Sequence, residues 1–307
     1  FSNLARELAK AGVPFALGMQ FNLPDPFAPN ISGQFYKQFA LTIAGSDPSG
    51  GAGIQADIEA IVSMGCHATT VITALTVQDT TDVKRFVAVD SMLVLEQARA
   101  ILEDMPVAAI KIGMVGSVEN VEVIHTILMD YPQIPVVLDP VVTSGSGAVG
   151  LADEDIVDAM TELLFPLSTL LTPNSLELRN FAPGGDNLDA CAHELLESGC
   201  EYLLVTGTHE NTPDVVNVLY NNFRRMDEFR WERLEGSYHG SGCTLASAIA
   251  GLFAQGMEPH TAVREAQEYA HEALKQGYRI GMGQRLPNRL FWAQGSESDD
   301  EVFKTDE

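Results

Sequence analysis

Near-continuous apolar runs alternate with amphipathic helical patterns from residue 39 to residue 278, and this alternation constrains the fold more than any other feature. Strands are expected at 39–44, 69–75, 108–112, 135–138, 169–171, 202–206 and 215–220. Helices are expected at 53–63, 91–103, 118–131, 153–164, 175–180, 188–197, 244–255 and 259–278, the last opening on Glu258-Pro259 with proline in its first turn. Most of the strand runs carry no polar alternation, so both of their faces are buried, as in a parallel sheet covered by helices. The expected fold is α/β, a three-layer α/β/α sandwich with a mostly parallel central sheet. With 307 residues and 46% apolar content the chain can bury one large core, and no break divides it. That domain is set at 38–294. Residues 1–37 form a peripheral, proline-punctuated extension, and residues 295–307 an acidic tail expected to be disordered.

Two glycine turns carry chemistry. Gly45-Ser-Asp-Pro-Ser-Gly-Gly-Ala-Gly53 follows an apolar strand and opens a helix, the layout in which an α/β sheet binds ligands at its carboxyl edge. No Gly-Lys-Ser/Thr closes it, so it is not a Walker A loop, and its glycines are misspaced for a dinucleotide. Close approach of backbone to a small, flat substrate is the better reading. The second turn, His239-Gly-Ser-Gly-Cys-Thr244, leads directly into the apolar helical run Leu245–Phe253. Successive amides at a helix amino end, with no side chains in the way, converge on an anionic oxygen. A transferable phosphoryl group is the expected guest of Gly240, Ser241, Gly242 and Cys243. The alternative is an ordinary turn with Cys243 as a small hydrophobe.

Polar residues at strand ends extend the pattern. Asp139 follows the run Val136-Val-Leu138, and Asn174 and Glu177 stand three residues apart on a starting helix. Hard cations take oxygen ligands and keep several waters, so one or two carboxylates near phosphates suffice for Mg²⁺. Against that, Asn174 is an ordinary N-cap and Glu177 can complete a capping box. The segment Val141-Val-Thr-Ser-Gly-Ser-Gly147 reads as a flap over the site.

Charge excludes other classes. A net charge of −24 with only six lysines argues against nucleic acid or an anionic membrane as partner. Any anionic substrate then needs a local positive device, such as a helix amino end with a divalent cation. The four cysteines have no CxxC or metal spacing, and no secretory signal opens the chain, so a cytoplasmic setting is expected. No run reaches the about 18 apolar residues of a membrane span.

Taken together, Ala44–Asp57, Val71–Gln78, Lys111-Ile-Gly-Met114, Leu138-Asp-Pro-Val141, Leu171–Glu177 and His239–Thr244 resemble the hydroxymethylpyrimidine/phosphomethylpyrimidine kinase family of the ribokinase-like superfamily. The resemblance runs from about residue 39 to residue 280. It implies a ribokinase-like fold, a homodimer, and transfer of the ATP γ-phosphoryl group in thiamine biosynthesis. The acceptors would be 4-amino-5-hydroxymethyl-2-methylpyrimidine and its monophosphate.

By the same resemblance, Gly45, Asp57, Gln78, Met114 and Val141 belong to the pyrimidine pocket. An amide at Gln78 offers donor and acceptor side by side, as an aminopyrimidine edge requires. Gly240 to Cys243 would form the anion hole, with Cys243 where sugar kinases carry a catalytic aspartate. It could then remove the hydroxyl proton, provided its helix position lowers its pKa, or only position the phosphate. Asp139 and Glu177 would handle Mg²⁺, and Asn174, Glu177, Thr206 and His239 the nucleotide. Two departures remove positive charge: Thr206 stands where many members have a lysine, and Thr143 and Ser144 replace another. Arg179 is the candidate substitute. Pyridoxal kinase activity stays open, as does a non-catalytic pyrimidine sensor.

Overall fold

The computed structural model describes residues 38–142 and 151–293. The expected extension, the acidic tail and most of the expected flap, with Thr143 and Ser144, lie outside the described residues. In chain order the elements are β1 (Phe39–Ser46), α1 (Gly53–Ser63), β2 (His67–Gln78), β3 (Val83–Ala88), α2 (Ser91–Asp104), β4 (Val107–Ile112), α3 (Val118–Asp130), β5 (Val136–Leu138), α4 (Glu154–Ala159) and β6 (Leu170–Leu171). They continue with α5 (Ser175–Phe181), α6 (Leu188–Leu196), β7 (Tyr202–Val205), β8 (Asp214–Asn221), β9 (Arg224–Glu232), α7 (Ser241–Ala254) and α8 (Pro259–Lys275).

One nine-stranded sheet runs in the order β3-β2-β1-β4-β5-β6-β7-β8-β9. The strands from β2 to β7 are parallel, and β3, β8 and β9 are antiparallel additions at the two edges. Strand parity sorts the core. Leu41, Ile43, Ile110, Ile112, Val136, Leu138, Leu203 and Val205 face α2 to α6. Ala40, Ala109, Val137, Leu170 and Leu204 face α1, α7 and α8. Ala40 and Ala109 are small, which lets α7 lie close on β1 and β4. Every residue of α7 from Thr244 to Ala254 is buried, as its all-round apolar sequence requires.

The chain winds outward from β1 in both directions, so the topological switch lies between β1 and β4. There the carboxyl ends of neighbouring strands diverge and leave a crevice. Gly45 and Met114 stand at these two ends.

Two strands escape the periodicity. Val83–Ala88 is an edge strand with charges at Lys84 and Arg85, and Arg224–Glu232 is mostly charged, so neither reads as an apolar run. The β8–β9 hairpin turns on Asn222 and Phe223, both at positive φ (49° and 58°). A two-residue turn of this kind normally signals itself with Asn-Gly, and Asn-Phe hides it. The helix expected at 153–164 is α-helical only to Ala159, then widens into a π turn and ends on a 3₁₀ turn containing Pro166. Among the described residues, no helix is long and apolar enough to cross a membrane.

Candidate active site

The two glycine turns meet. Gly240 caps α7 at φ +82°, and a Cβ there would lie 1.8 Å from the Gly51 carbonyl oxygen. A Cβ at Gly51 would lie 2.2 Å from the His239 ring. Each turn therefore requires glycine because the other occupies its side-chain space. Polar bonds fasten them. Asp47 accepts from the Ser49 and Ala52 amides (both 2.8 Å) and the Ser49 hydroxyl (3.0 Å), and it pairs with His239 Nε2 at 2.9 Å. Burial alone would raise the Asp47 pKa; the hydrogen bonds from His239 and Ser49 outweigh it and hold the carboxyl below its ordinary value. Arg289, 2% exposed, donates to the Gly50 and Gly51 carbonyls and, at 2.8 Å, to Thr244 Oγ1. It thus ties both turns to the first residues of α7.

A cavity of about 610 Å³ opens between these turns and the carboxyl ends of the strands. One limb is walled by Gly45, Gln78, Met114, Val141 and His239, and Gln78 Nε2 lies 2.9 Å from His239 Nε2. A Cβ at Gly45 would sit 3.2 Å from the Met114 sulfur, so a larger residue there would press on that side chain. The other limb runs past Thr206, Thr208, His209, Val215, Trp231 and His271. There Asn217 and Trp231 both donate to Gln267 Oε1 (2.8 and 3.1 Å), and Asn217 Oδ1 accepts the Gly207 amide. Where the limbs join stand Ser241, Gly242, Cys243, Asp139 and Glu177. The amides of residues 241–243 precede the first intrahelical bond, Thr244 N–H to Gly240 O, and are free to bind an anion.

Asp139 sits over this helix end, its carboxylate 3.7 Å from the point where a Gly242 Cβ would be, and it accepts a hydrogen bond from Cys243. Burial raises the Asp139 pKa, with Lys111 partly opposing. Burial and the Asp139 charge together raise that of Glu177. Asn174 and Glu177 also form the capping box: Asn174 Oδ1 accepts from the Leu176 and Glu177 amides, and Glu177 Oε2 accepts from the Asn174 amide at 2.9 Å. Capping does not withdraw them from the cavity, which both residues line.

The family model for phosphomethylpyrimidine kinase matches residues 47–288. The chain belongs to the hydroxymethylpyrimidine/phosphomethylpyrimidine kinase family. A Synechococcus elongatus member of that name is 38% identical over 80% of this chain and 94% of its own length. The chain spans only about half of two longer relatives. These are the bifunctional thiamine biosynthesis protein ThiED of Geobacter sulfurreducens (35% identity over 86% of this chain and 55% of the relative) and the Arabidopsis thaliana bifunctional enzyme TH1, of which it covers 48%. Among solved structures, phosphomethylpyrimidine kinase from Clostridium difficile aligns at TM-score 0.67 with 34% identity, over 77% of this chain and 99% of that one. Pyridoxal kinase of Bacillus subtilis, bound to ADP, aligns at 0.74 with 27% identity, over 82% and 97%. The fold is the expected ribokinase-like one.

Three expectations are corrected by the geometry. Asp57 does not line the cavity: it is fully buried, and its oxygens are taken by Lys111, Thr42 and Ser247. Arg179 does not reach in, being held by Glu210 at 2.7 and 3.1 Å and by the Ser175 carbonyl. The helix end does not acidify Cys243. Burial pushes its thiol up to about 12, with Asp139 and Asp57 adding to the rise and Lys111 opposing it. Three residues were missed: Asp47, Lys111 and Arg289. Asp47 and Lys111 lay inside the quoted motifs, but nothing in one sequence tells a turn-holding aspartate or a strand lysine from its neighbours. Arg289 gave no signal at all.

Proposed function

We propose that the chain transfers the γ-phosphoryl group of ATP to the hydroxymethyl group of 4-amino-5-hydroxymethyl-2-methylpyrimidine, to its monophosphate, or to both, in thiamine biosynthesis. The observation that carries this is the joining of the two limbs at the amino end of α7. An acceptor ring between Gln78 and Met114 would have its substituent at the amides of 241–243, and a nucleotide in the other limb would bring its last phosphate to the same place. Use of ATP is supported by family membership and by the ADP found in the Bacillus subtilis neighbour.

The chain's own part is positioning and charge stabilisation. The three amides and the dipole of α7 receive negative charge on the transferring group, each donor contributing on the order of 3 kcal/mol. With its thiol neutral, Cys243 donates a hydrogen bond rather than taking the hydroxyl proton; Asp139, whose carboxylate stands beside it, is the better acceptor for that proton. Two buried carboxylates with raised pKa values, Glu177 pushed up in part by the charge of Asp139, suit a divalent cation, so Asp139 and Glu177 fit Mg²⁺, which would neutralise phosphate charge when bound.

The reading includes a homodimer in the cytoplasm. Leu75, Val77 and Val87, 54%, 45% and 55% exposed, form an apolar stripe on the face of β2 and β3 turned away from the cavity, an area a second copy would cover. Pyridoxal kinase activity is the second reading, because neighbours of that activity share the fold at TM-score 0.74.

Mass spectrometry after incubation with ATP, Mg²⁺ and each acceptor tests the proposal. Phosphorylated pyrimidine is expected, with loss of product on chelation. Product from pyridoxal alone, or undiminished product in excess chelator, would overturn it.

A further inference from the structure

Beneath the junction of the two limbs lies a closed cluster that the mechanism above does not use. Lys111 Nζ stands 2.9 and 3.0 Å from the two oxygens of Asp57. Thr42 Oγ1 and Ser247 Oγ each donate to the same carboxylate at 2.6 Å. Both charged side chains have no exposed surface. Their positions follow from the fold. Thr42 on β1 and Lys111 on β4 are register partners on the sheet face covered by α1 and α7, which supply Asp57 and Ser247.

Stability does not explain the pair. Taking two charges out of water consumes most of their attraction, and apolar replacements of similar volume are often neutral or stabilising. The neighbouring positions on this face are Ala40, Ala109 and Val137, so an apolar residue at 111 would continue the core. Asp57 is already satisfied by two hydroxyls and does not need the lysine as a hydrogen-bond donor.

Charge does explain it. Asp139 and Glu177 bring two carboxylates to the wall of the junction, and Asp57 adds a third beneath it, before any phosphate arrives. Among the described residues, the lysine and arginine side chains that line the cavity are Lys111 and Arg233. Arg233 is spent on the carbonyls of Thr208, Glu210 and Thr212. Arg289 and Arg179 are engaged elsewhere, as described. Lys111 has three N–H groups, and Asp57 is the acceptor found for them. Lys111 is among the residues around the cavity together with Cys243 and Asp139, and the charges of both act on it.

We propose that Lys111 is a positioning residue for phosphoryl transfer: a fixed cation, pinned by Asp57, that holds Asp139 and Cys243 at the amino end of α7 and offsets the charge gathering on the transferring group. On this view Asp57 belongs to the machinery by anchoring Lys111, and the two lysines missing, one at 206 and one at 143–144, are compensated from below. The inference rests on the kinase reading.

The deciding variant is Lys111→Met/Asp57→Asn, which removes both charges while leaving an acceptor for Thr42 and Ser247. Wild type is assayed first, with the pyrimidine and with pyridoxal, and the acceptor it phosphorylates is used throughout. The double variant is expected to keep its Tm within a few degrees and its KM for the acceptor within about threefold, while kcat falls at least about 100-fold. A folded double variant with kcat within threefold of wild type overturns the role of Lys111. Wild type that phosphorylates neither acceptor overturns the kinase reading and this inference with it. Should the double variant not fold, Lys111→Ala is assayed with and without butylammonium, which returns a cation to the vacated space. At least tenfold recovery of kcat is expected; none, in a folded variant, refutes the proposal.

Discussion

Gly240→Ala separates two reasons for glycine that are usually confounded. Gly240 has φ +82°, a conformation that costs an L-residue about 1–2 kcal/mol. The added Cβ would also meet the Gly51 oxygen at 1.8 Å and Arg289 Nη2 at 2.8 Å, so the two turns must part by more than an ångström. Overpacking of that kind costs about 1–3 kcal/mol, giving about 2–5 kcal/mol in total. Gly50 is the control. Its φ is +75°, but nothing lies within 4 Å of its Cβ position, so alanine there carries only the first cost.

At ~2.1 cal/mol/K per residue, the roughly 250 described residues unfold with an entropy of roughly 0.5 kcal/mol/K. Gly240→Ala should therefore lower Tm by roughly 4–10 °C and Gly50→Ala by roughly 2–4 °C, measured by calorimetry under one buffer. Turnover discriminates more sharply, since only the first variant pushes the amino end of α7 away from the acceptor limb. We expect at least about a 100-fold loss for Gly240→Ala, the scale of a lost oxyanion donor, and activity near wild type for Gly50→Ala. Equal Tm shifts with equal turnover would refute the interlocking of the turns as the reason for glycine at 240.

Cys243, with its thiol pushed up to about 12 by burial, carries almost no thiolate at neutral pH. Alkylation of the ligand-free protein at pH 7.5 should modify it at least about 100-fold more slowly than a free thiol, read by peptide mass spectrometry, and equal rates would contradict its environment. Asp139 and Glu177 have raised pKa values, so their contribution to stability is present below the ordinary carboxylate range and is lost as pH rises through the raised values. Without divalent cations Tm should fall between about pH 5 and pH 8, Mg²⁺ should recover part of it at pH 8, and Asp139→Asn should flatten the profile; a flat wild-type profile would count against the pair. Phe223→Gly relieves a positive φ in the β8–β9 turn at a residue 53% exposed, and should stabilise by about 1 kcal/mol in denaturant titration, with a loss of stability refuting the strain.

Apolar runs such as Phe39–Ala44 and Tyr202–Val205 made the parallel centre of the sheet legible, because burial on both faces leaves no other pattern. The edges were not legible. Val83–Ala88 and Arg224–Glu232 take their strand conformation from a neighbouring strand, and their charges answer to solvent rather than to a core. At the site, glycine turns and strand-end carboxylates were legible as types, since backbone amides and oxygen ligands have local signatures. What could not be read was which side chain faces which. Asp57 lies in the same motif as Gly45, yet one turn of α1 carries it below the cavity to Lys111. Cys243 sits at a helix amino end, where the local rule lowers a thiol pKa, and burial among carboxylates reverses the sign.

That reversal bears on how an acidic chain handles an anionic reaction. A net charge of −24 places no obstacle in the way of binding phosphate if the local field is built from groups that do not titrate near neutrality. The amides of 241–243 and the dipole of α7 are such groups, and Lys111, whose pKa rises beside Asp57 although burial opposes it, is another. On the kinase reading, carboxylates at Asp139 and Glu177 would work with this field rather than against it, because the repulsion that raises Glu177 would be relieved when a divalent cation comes with the nucleotide. The site would thereby be biased toward the metal-bound nucleotide over free phosphate. Asp139→Asn should narrow that bias, bringing the Kd values of ADP with and without Mg²⁺ closer together in calorimetry. An unchanged ratio would separate Asp139 from the metal and leave Glu177 alone to hold it.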